Sequence, residues 1–220
     1  EFTLFGTNTS SLSISRLAKA SQNAKDFICI HFYAPAQEMQ LVDVIIGKNT
    51  SEETIARAFD FVRAIGKIPI VIKDRRGFLT PRINGMYAME GLALLNEGVS
   101  PVVIERLGVK AGMPKGPLAT LDEMSLATTL LFERKKQEWF GDIYYHKNEI
   151  EVLDRMVNEL NREGAISKAS FYDYTEEKLR IWEGLLEHFE IKKAVHNEQE
   201  IIERFMFVQA MEAARVLEEG

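Results

Sequence analysis

The sequence predicts an α/β layer followed by an all-α region, and three observations carry that prediction. Apolar runs of strand length alternate with helix-period segments over residues 1 to 73, the pattern of a largely parallel sheet with crossover helices. From Thr80 onward almost everything has helical period, interrupted by glycine- and proline-containing breaks. The stretch Arg82 to Gly98 returns without a gap at Arg204 to Gly220, with seven identities in 17 positions, so one helical unit is followed by the first helix of a second. The alternative is two unrelated amphipathic helices built from common helix formers; the shared Ala-Met-Glu and the terminal Glu-Gly favour duplication. The expected division is therefore 1–75, the sheet; 76–175, the helical unit; and 176–220, a linker and the first helix of a second unit.

In order, Thr3–Gly6 reads as a short strand. Leu12, Ile14, Leu17 and Ala18 recur at helical spacing behind Ser10, a residue suited to an N-cap at a helix start that also attracts anions. Phe27–Tyr33 and Gln40–Ile46 are apolar runs joined by a Pro-containing connector. Ser51-Glu52-Glu53 opens a helix through Ala64 that Gly66 ends. Lys67–Lys73 is a further strand, with Pro69 suiting its start or an edge. After the turn at Asp74–Phe78, Thr80 as N-cap and Pro81 at the first helical position begin a helix running to Gly98. Others are expected from Pro101 to about Ala111, from Pro117 past Leu131, and over roughly Asn148 to Glu163. Phe171–Tyr174 looks like an anchoring aromatic turn, and the charged, aromatic residues 133–147 fit no element firmly.

Each of the two apolar runs around the connector carries one ionisable residue, His31 in the first and Asp43 in the second. An unpaired buried carboxylate costs several kcal/mol, so Asp43 needs a partner, and His31 is the nearest candidate. A carboxylate bonded to one imidazole nitrogen fixes the tautomer and raises the basicity of the other, which makes a general base usable near neutral pH. From the two residues alone, the commoner arrangement is a satisfied core histidine beside an unrelated strand-end aspartate. His146, His188 and His196 lie among charged residues and read as surface groups.

Composition narrows the function classes. A net charge of −6 without a basic run argues against a nucleic-acid or anionic-membrane partner. No run approaches the roughly 20 apolar residues of a membrane span. The single cysteine, Cys29, excludes a disulfide framework and leaves no clustered metal ligands, which fits a reducing, cytoplasm-like compartment. Residues 1–6 carry no secretory signal. Lacking an initiator Met and opening on a strand-like run, the chain reads as part of a longer one.

Several motifs then fall at concerted spacing: Asn8-Thr9-Ser10-Ser11-Leu12, His31-Phe32-Tyr33-Ala34-Pro35, Met39-Gln40-Leu41-Val42-Asp43, Lys67-Ile68-Pro69, Gly77-Phe78, the Gly-Met-Pro-Lys-Gly-Pro loop at 112–117, Asp122 and Phe171-Tyr172-Asp173-Tyr174. Together they resemble the 3-hydroxyacyl-CoA dehydrogenases, particularly those in the multifunctional proteins of fatty-acid β-oxidation, where the corresponding motifs include Asn-Thr-Ser-Ser-Leu, His-Phe-Phe-Asn-Pro and Met-x-Leu-Val-Glu. The resemblance implies the C-terminal part of a Rossmann-type sheet followed by the family's helical domain, which is duplicated in the multifunctional members. It implies NAD-dependent oxidation of an (S)-3-hydroxyacyl-CoA to the 3-ketoacyl-CoA, with His31 taking the hydroxyl proton, Asp43 orienting it and Ser10 contacting substrate and cofactor. Acyl-CoA would lie between the α/β and helical domains. A homodimer, or an intrachain pseudo-dimer of helical domains, is implied as well; a eukaryotic member would be mitochondrial or peroxisomal.

The chain departs from the family pattern at five places. Position 43 is Asp where the family has Glu, shorter by about 1.5 Å, and a misplacement of about 1 Å can cost roughly a hundredfold. Position 34 is Ala where the family has a cofactor-contacting Asn. Position 81 is Pro where the family usually has Asn or Ser near the substrate, and Pro offers neither N–H nor polar side chain. The Lys-Gly-rich loop before Phe171 is shortened. The Gly-x-Gly-x-x-Gly turn that holds a dinucleotide pyrophosphate occurs nowhere in these residues and would lie upstream of residue 1. The losses at positions 34, 43 and 81 support an alternative function, a non-catalytic acyl-CoA-binding or assembly module.

Overall fold

The computed structural model describes residues 4–9, 12–33, 35–75, 77–174, 179–192 and 196–219. The chain divides into two compact units, residues 1–82 with 213–220, and residues 83–212.

The first unit is built on four strands, β1 (Phe5–Thr7), β2 (Phe27–Phe32), β3 (Leu41–Ile46) and β4 (Ile68–Lys73), in that spatial order. β1 and β4 run parallel to their neighbours β2 and β3, while β2 and β3 are antiparallel. The sheet is therefore largely parallel, as expected, with one antiparallel pairing at its centre. The reason for that pairing is the short connector between β2 and β3, since a parallel crossover needs about a dozen residues or more. The β2–β3 connector is clamped by Lys67, whose ammonium donates to the carbonyls of Ala36 (2.7 Å), Gln37 (3.3 Å) and Met39 (2.7 Å).

Alternation along the strands gives the sheet two apolar faces. Phe27, Cys29 and Ile45 pack with Ile14, Ala18 and Phe78 on one side. Ile28, Val42 and Val44 pack with Ala58 and Val62 on the other. Ile14 belongs to α1 (Ile14–Leu17), shorter than the sequence suggested and continued as a 3₁₀ turn. Ala58 and Val62 belong to α2 (Glu52–Ala64), whose start is capped by Ser51, its hydroxyl accepting from Thr54 N at 3.2 Å. Gly66, at φ +77°, supplies the left-handed turn after α2.

The second unit is helical: most of α3 (Thr80–Glu97), α4 (Pro101–Lys110), α5 (Pro117–Met124), α6 (Leu126–Phe140), α7 (Lys147–Asp154), α8 (Leu185–His188) and most of α9 (Glu198–Glu219). The helix expected from Pro117 past Leu131 is broken at Ser125, which adopts φ +68° and caps α6 by accepting from Thr128 N at 3.4 Å. α6 then takes up residues 133–140, and α7 ends in a π-helical turn, Arg155–Glu159. The aromatic segment at 171–174 contributes β5 (Tyr172–Tyr174), paired antiparallel with β6 (Leu179–Ile181). α3 starts at Thr80 itself, so Thr80 is its first residue rather than a cap before it. Among the described residues no helix is long and apolar enough to cross a membrane.

Two buried carboxylates pin this unit. Glu105 accepts from Leu118 N (2.7 Å) and Ala119 N (3.3 Å) at the start of α5, and from the Tyr172 hydroxyl. Burial pushes its acidity down, raising its pKa although those hydrogen bonds oppose the shift. Asp122 accepts from Phe171 N (3.2 Å), the Tyr174 hydroxyl (3.1 Å) and Ser170. Two motifs far apart in sequence, Asp122 and Phe171–Tyr174, are thus one anchor.

The repeat has a physical counterpart. In the second unit Arg204 grips Glu97 with two bonds of 2.7 Å and reaches Glu90 at 2.5 Å. In the first unit Arg82 grips Glu219 at 2.6 and 3.0 Å. Arg82 and Arg204 occupy equivalent repeat positions, as do Glu97 and Glu219, so the same bidentate pair is made twice. Two sequence readings change here. His196 bridges Glu97 (2.5 Å) and Glu200 (2.9 Å), and both ring nitrogens of His146 are buried without a hydrogen-bond partner among the described residues, so neither is a plain surface group.

Candidate active site

β2 and β3 place His31 and Asp43 directly opposite each other in register. Strand alternation puts both on the face that carries Cys29 and Ile45, so they extend an apolar surface with two polar side chains. Asp43 is fully buried, and His31 keeps only 8% of its surface open. The imidazole Nδ1 lies 3.9 Å from Asp43 Oδ2, an ion-pair distance too long for a hydrogen bond. Among the described residues neither Nδ1 nor Asp43 Oδ1 has a hydrogen-bond partner. The expected bonded pair is therefore a facing pair.

The bond that is made comes from Tyr33, just beyond β2, whose hydroxyl donates to Asp43 Oδ2. The tyrosine ring also stands edge-on to the imidazole, with centroids 4.8 Å apart. Burial, then the bond to Asp43, pushes the Tyr33 phenol far above its ordinary value, so it stays a protonated donor; the Thr80 side chain, also bonded to it, opposes the shift. Burial and then the Asp43 charge push the Cys29 thiol up to about 12, which keeps it neutral. Tyr33 and Thr80 went unrecognised in the sequence. The signal was a hydroxyl-bearing aromatic where the resembling family has Phe, two residues from the histidine.

Of the other expected site residues, Ser10 and Ala34 lie outside the described residues. Near Ser10, Asn8 Oδ1 accepts from Phe32 N (2.9 Å), tying that segment to the residue after His31, and Thr9 Oγ1 accepts from Leu12 N (3.1 Å). Pro81 is the second residue of α3, half-buried and next to Thr80. Among the described residues no group of three or more His, Cys, Asp or Glu could hold a metal ion.

A mixed α/β sheet bearing a cross-strand histidine–carboxylate pair is followed in the chain by a helical unit. Comparison with known proteins identifies the class. Residues 1–75 match the model of the 3-hydroxyacyl-CoA dehydrogenase NAD-binding domain, and residues 77–174 match that of the 3-hydroxyacyl-CoA dehydrogenase C-terminal domain. The chain belongs to the 3-hydroxyacyl-CoA dehydrogenase family. It is 34% identical over its whole length to the fatty acid oxidation complex subunit alpha of Shewanella frigidimarina, and 33% identical to that of Shewanella oneidensis. It spans 31% of each of those proteins. Among solved structures, the dehydrogenase part of multifunctional enzyme 1 from C. elegans matches 99% of the chain and 50% of its own, at TM-score 0.69 and 25% identity. The (S)-3-hydroxybutyryl-CoA dehydrogenase of Ralstonia eutropha matches 78% of the chain and 60% of its own, at TM-score 0.67 and 32% identity.

The family implies NAD, whose diphosphate characteristically sits on a helix N-terminus. The starts of α1 and α2 in the sheet unit do not fit that role. The backbone N–H groups of Ile14 (3.0 Å) and Ser15 (2.7 Å) at α1 already donate to the Asp74 carboxylate, as does the Ser13 hydroxyl (2.8 Å). Burial alone would raise the Asp74 pKa, yet the bonds from Ser15, Ile14 and Ser13 outweigh it and hold the carboxyl below its usual range, so it is an anion in the anion's place. α2 begins with Glu52 and Glu53, which repel phosphate.

Proposed function

We propose that this chain carries the proton-handling residues of an enzyme that oxidises an (S)-3-hydroxyacyl-CoA to the 3-ketoacyl-CoA with NAD. The observation that carries the reading is the cross-strand register of His31 and Asp43 on one face of the sheet. In the reaction the 3-hydroxyl O–H bond would break and its proton pass to His31 Nε2, while bound NAD would supply the acceptor for the C3 hydride. The Asp43 charge, 3.9 Å from Nδ1, stabilises the imidazolium that results without a proton transfer of its own. Burial of both side chains strengthens that interaction by keeping water out. The diphosphate of the hydride acceptor would be held by residues other than the starts of α1 and α2.

A full-length protein carrying His31→Gln should lose roughly 10²- to 10⁴-fold in kcat for 3-hydroxyacyl-CoA, with little change in KM. Full-length wild-type protein that turns over no 3-hydroxyacyl-CoA in the presence of NAD sinks the reading. The second reading, a non-catalytic acyl-CoA-binding or assembly module, draws support from the unbonded His31–Asp43 pair. It expects calorimetric binding of acyl-CoA without turnover. Restoring the family residues with Asp43→Glu, Ala34→Asn and Pro81→Asn separates the two: an increase in activity supports degeneracy, and unchanged activity refutes it.

A further inference from the structure

We infer that Tyr33 is a positioning residue for the His31–Asp43 pair: its hydroxyl holds the Asp43 carboxylate and so sets the pH at which His31 takes up a proton. The inference rests on the proposed function only for its consequence in catalysis; its physical content stands on the geometry. One carboxylate oxygen, Asp43 Oδ2, faces two candidate donors. Tyr33 makes its bond, while His31 Nδ1 stands 3.9 Å off and has no hydrogen-bond partner among the described residues. A hydrogen bond to a carboxylate disperses its charge and fixes its orientation. Tyr33 therefore limits how strongly Asp43 can stabilise the imidazolium.

The other groups that bear on the trio are few among the described residues. Cys29, two residues back on β2, is neutral because burial lifts its thiol to about 12. Thr80, at the start of α3, contributes a hydroxyl to the Tyr33 side of the network. On β4 the residue paired with Asp43 is Ile70, which carries no charge. Asp74 is occupied at the start of α1. Asp43 is thus the one carboxylate facing His31 among these neighbours, and Tyr33 is the residue that divides its attention. The tyrosine also explains how a short acid can be tolerated here: Tyr33 makes a charge-assisted bond to a carboxylate that does not reach its histidine.

Tyr33→Phe tests this directly, since it removes one oxygen and keeps the ring against the imidazole. With four histidines in the chain, the His31 imidazole resonances are assignable by comparison with His31→Gln. Their NMR titration in Tyr33→Phe should move to higher pH by roughly one unit, as expected when a neighbouring carboxylate is freed. In an Asp43→Asn background the same substitution should shift nothing. Replacing all six tyrosines with the more acidic 3-fluorotyrosine strengthens the phenol as a donor and should move the midpoint the other way. In full-length enzyme the acidic limb of kcat/KM should follow the NMR midpoint. An unchanged or lowered midpoint in Tyr33→Phe, or an equal shift with Asp43→Asn present, overturns the inference. If full-length wild type is inactive, the dehydrogenase reading fails by itself and the titration still decides the role of Tyr33.

Discussion

Asp43→Glu is the change that most sharply tests the geometry around His31. The substitution adds about 1.5 Å of side chain at a residue with no exposed surface. By reach alone it would close the 3.9 Å gap to His31 Nδ1 to hydrogen-bonding length. The space ahead of the carboxylate is already taken, however, because the Tyr33 hydroxyl sits on Oδ2. Overpacking of this kind costs about 1–3 kcal/mol, or about 2–12 °C in melting temperature for a chain of this size at 2–4 °C per kcal/mol. Tyr33→Phe alone leaves a buried carboxylate short of a hydrogen bond, a loss of about 1–3 kcal/mol. Joined, the two changes should relieve each other: the longer acid fills the space vacated by the hydroxyl and reaches the imidazole. The double mutant should therefore be more stable than the sum of the singles by at least about 1 kcal/mol, in the range found for residues in contact. Thermal melts followed by circular dichroism on the four proteins measure that coupling. Costs that add to within about 0.5 kcal/mol would mean that positions 33 and 43 do not share the space assigned to them.

Three other predictions follow from the same contacts. Lys67→Met removes three bonds to the β2–β3 connector and should destabilise the sheet unit by about 1–3 kcal/mol, with faster amide hydrogen exchange confined first to residues 36–40. Burial is the leading cause that raises the Asp122 pKa, from 3.8 to about 6. The native state therefore binds that proton more readily than the unfolded one, so stability should rise as pH falls from 7 to 5, by on the order of 1 kcal/mol, and Asp122→Asn should abolish that component of the pH dependence in melts. Arg204→Met leaves Glu90 and Glu97 without their guanidinium and should cost about 1–3 kcal/mol, more than Arg82→Met, whose partner Glu219 is about half exposed. Because the bond from Arg204 is the first cause lowering the Glu97 pKa, the Arg204 contribution should be complete above pH about 4.5 and fade as pH falls below it.

Much of the fold was legible because strand and helix periods are properties of neighbouring residues. The four strands, α2, α3 and α4 appear within a residue or two of their expected ends, as cap and turn residues allow. What was missed or misread depended on distant partners. The antiparallel pairing of β2 with β3 turns on a connector length and not on strand composition. Ser125 breaks a helix that its local pattern would continue, and it is held there by contact with residue 163, where its hydroxyl donates to the Glu163 carbonyl at 3.3 Å. The segment at 171–174 looked like a turn because its pairing partner, β6, is short and polar on one side.

The site was legible to the same depth and no further. His31 and Asp43 were identifiable as ionisable residues inside apolar runs, and their common face follows once an antiparallel register is assumed. The distance between them was not readable, because it depends on which third group the carboxylate prefers. Tyr33 reads in sequence as one more aromatic in an apolar strand, and only its hydroxyl, aimed back at β3, makes it polar in effect. Position 33 is Tyr where the resembling family has Phe, and position 43 is Asp where it has Glu. Set side by side, they describe one exchange: the acid is shorter by one carbon, and the aromatic is longer by one oxygen. The acid is in contact with the phenol, and the imidazole is held at ion-pair distance. An imidazole so placed keeps the electrostatic help of the carboxylate while losing its directional grip, so orientation of the ring must come from packing, chiefly the edge-on Tyr33 ring. A substitution that keeps the phenol oxygen but removes that packing has no natural equivalent, whereas Tyr33→Phe keeps the packing and removes the oxygen, which is why it isolates the electrostatic part.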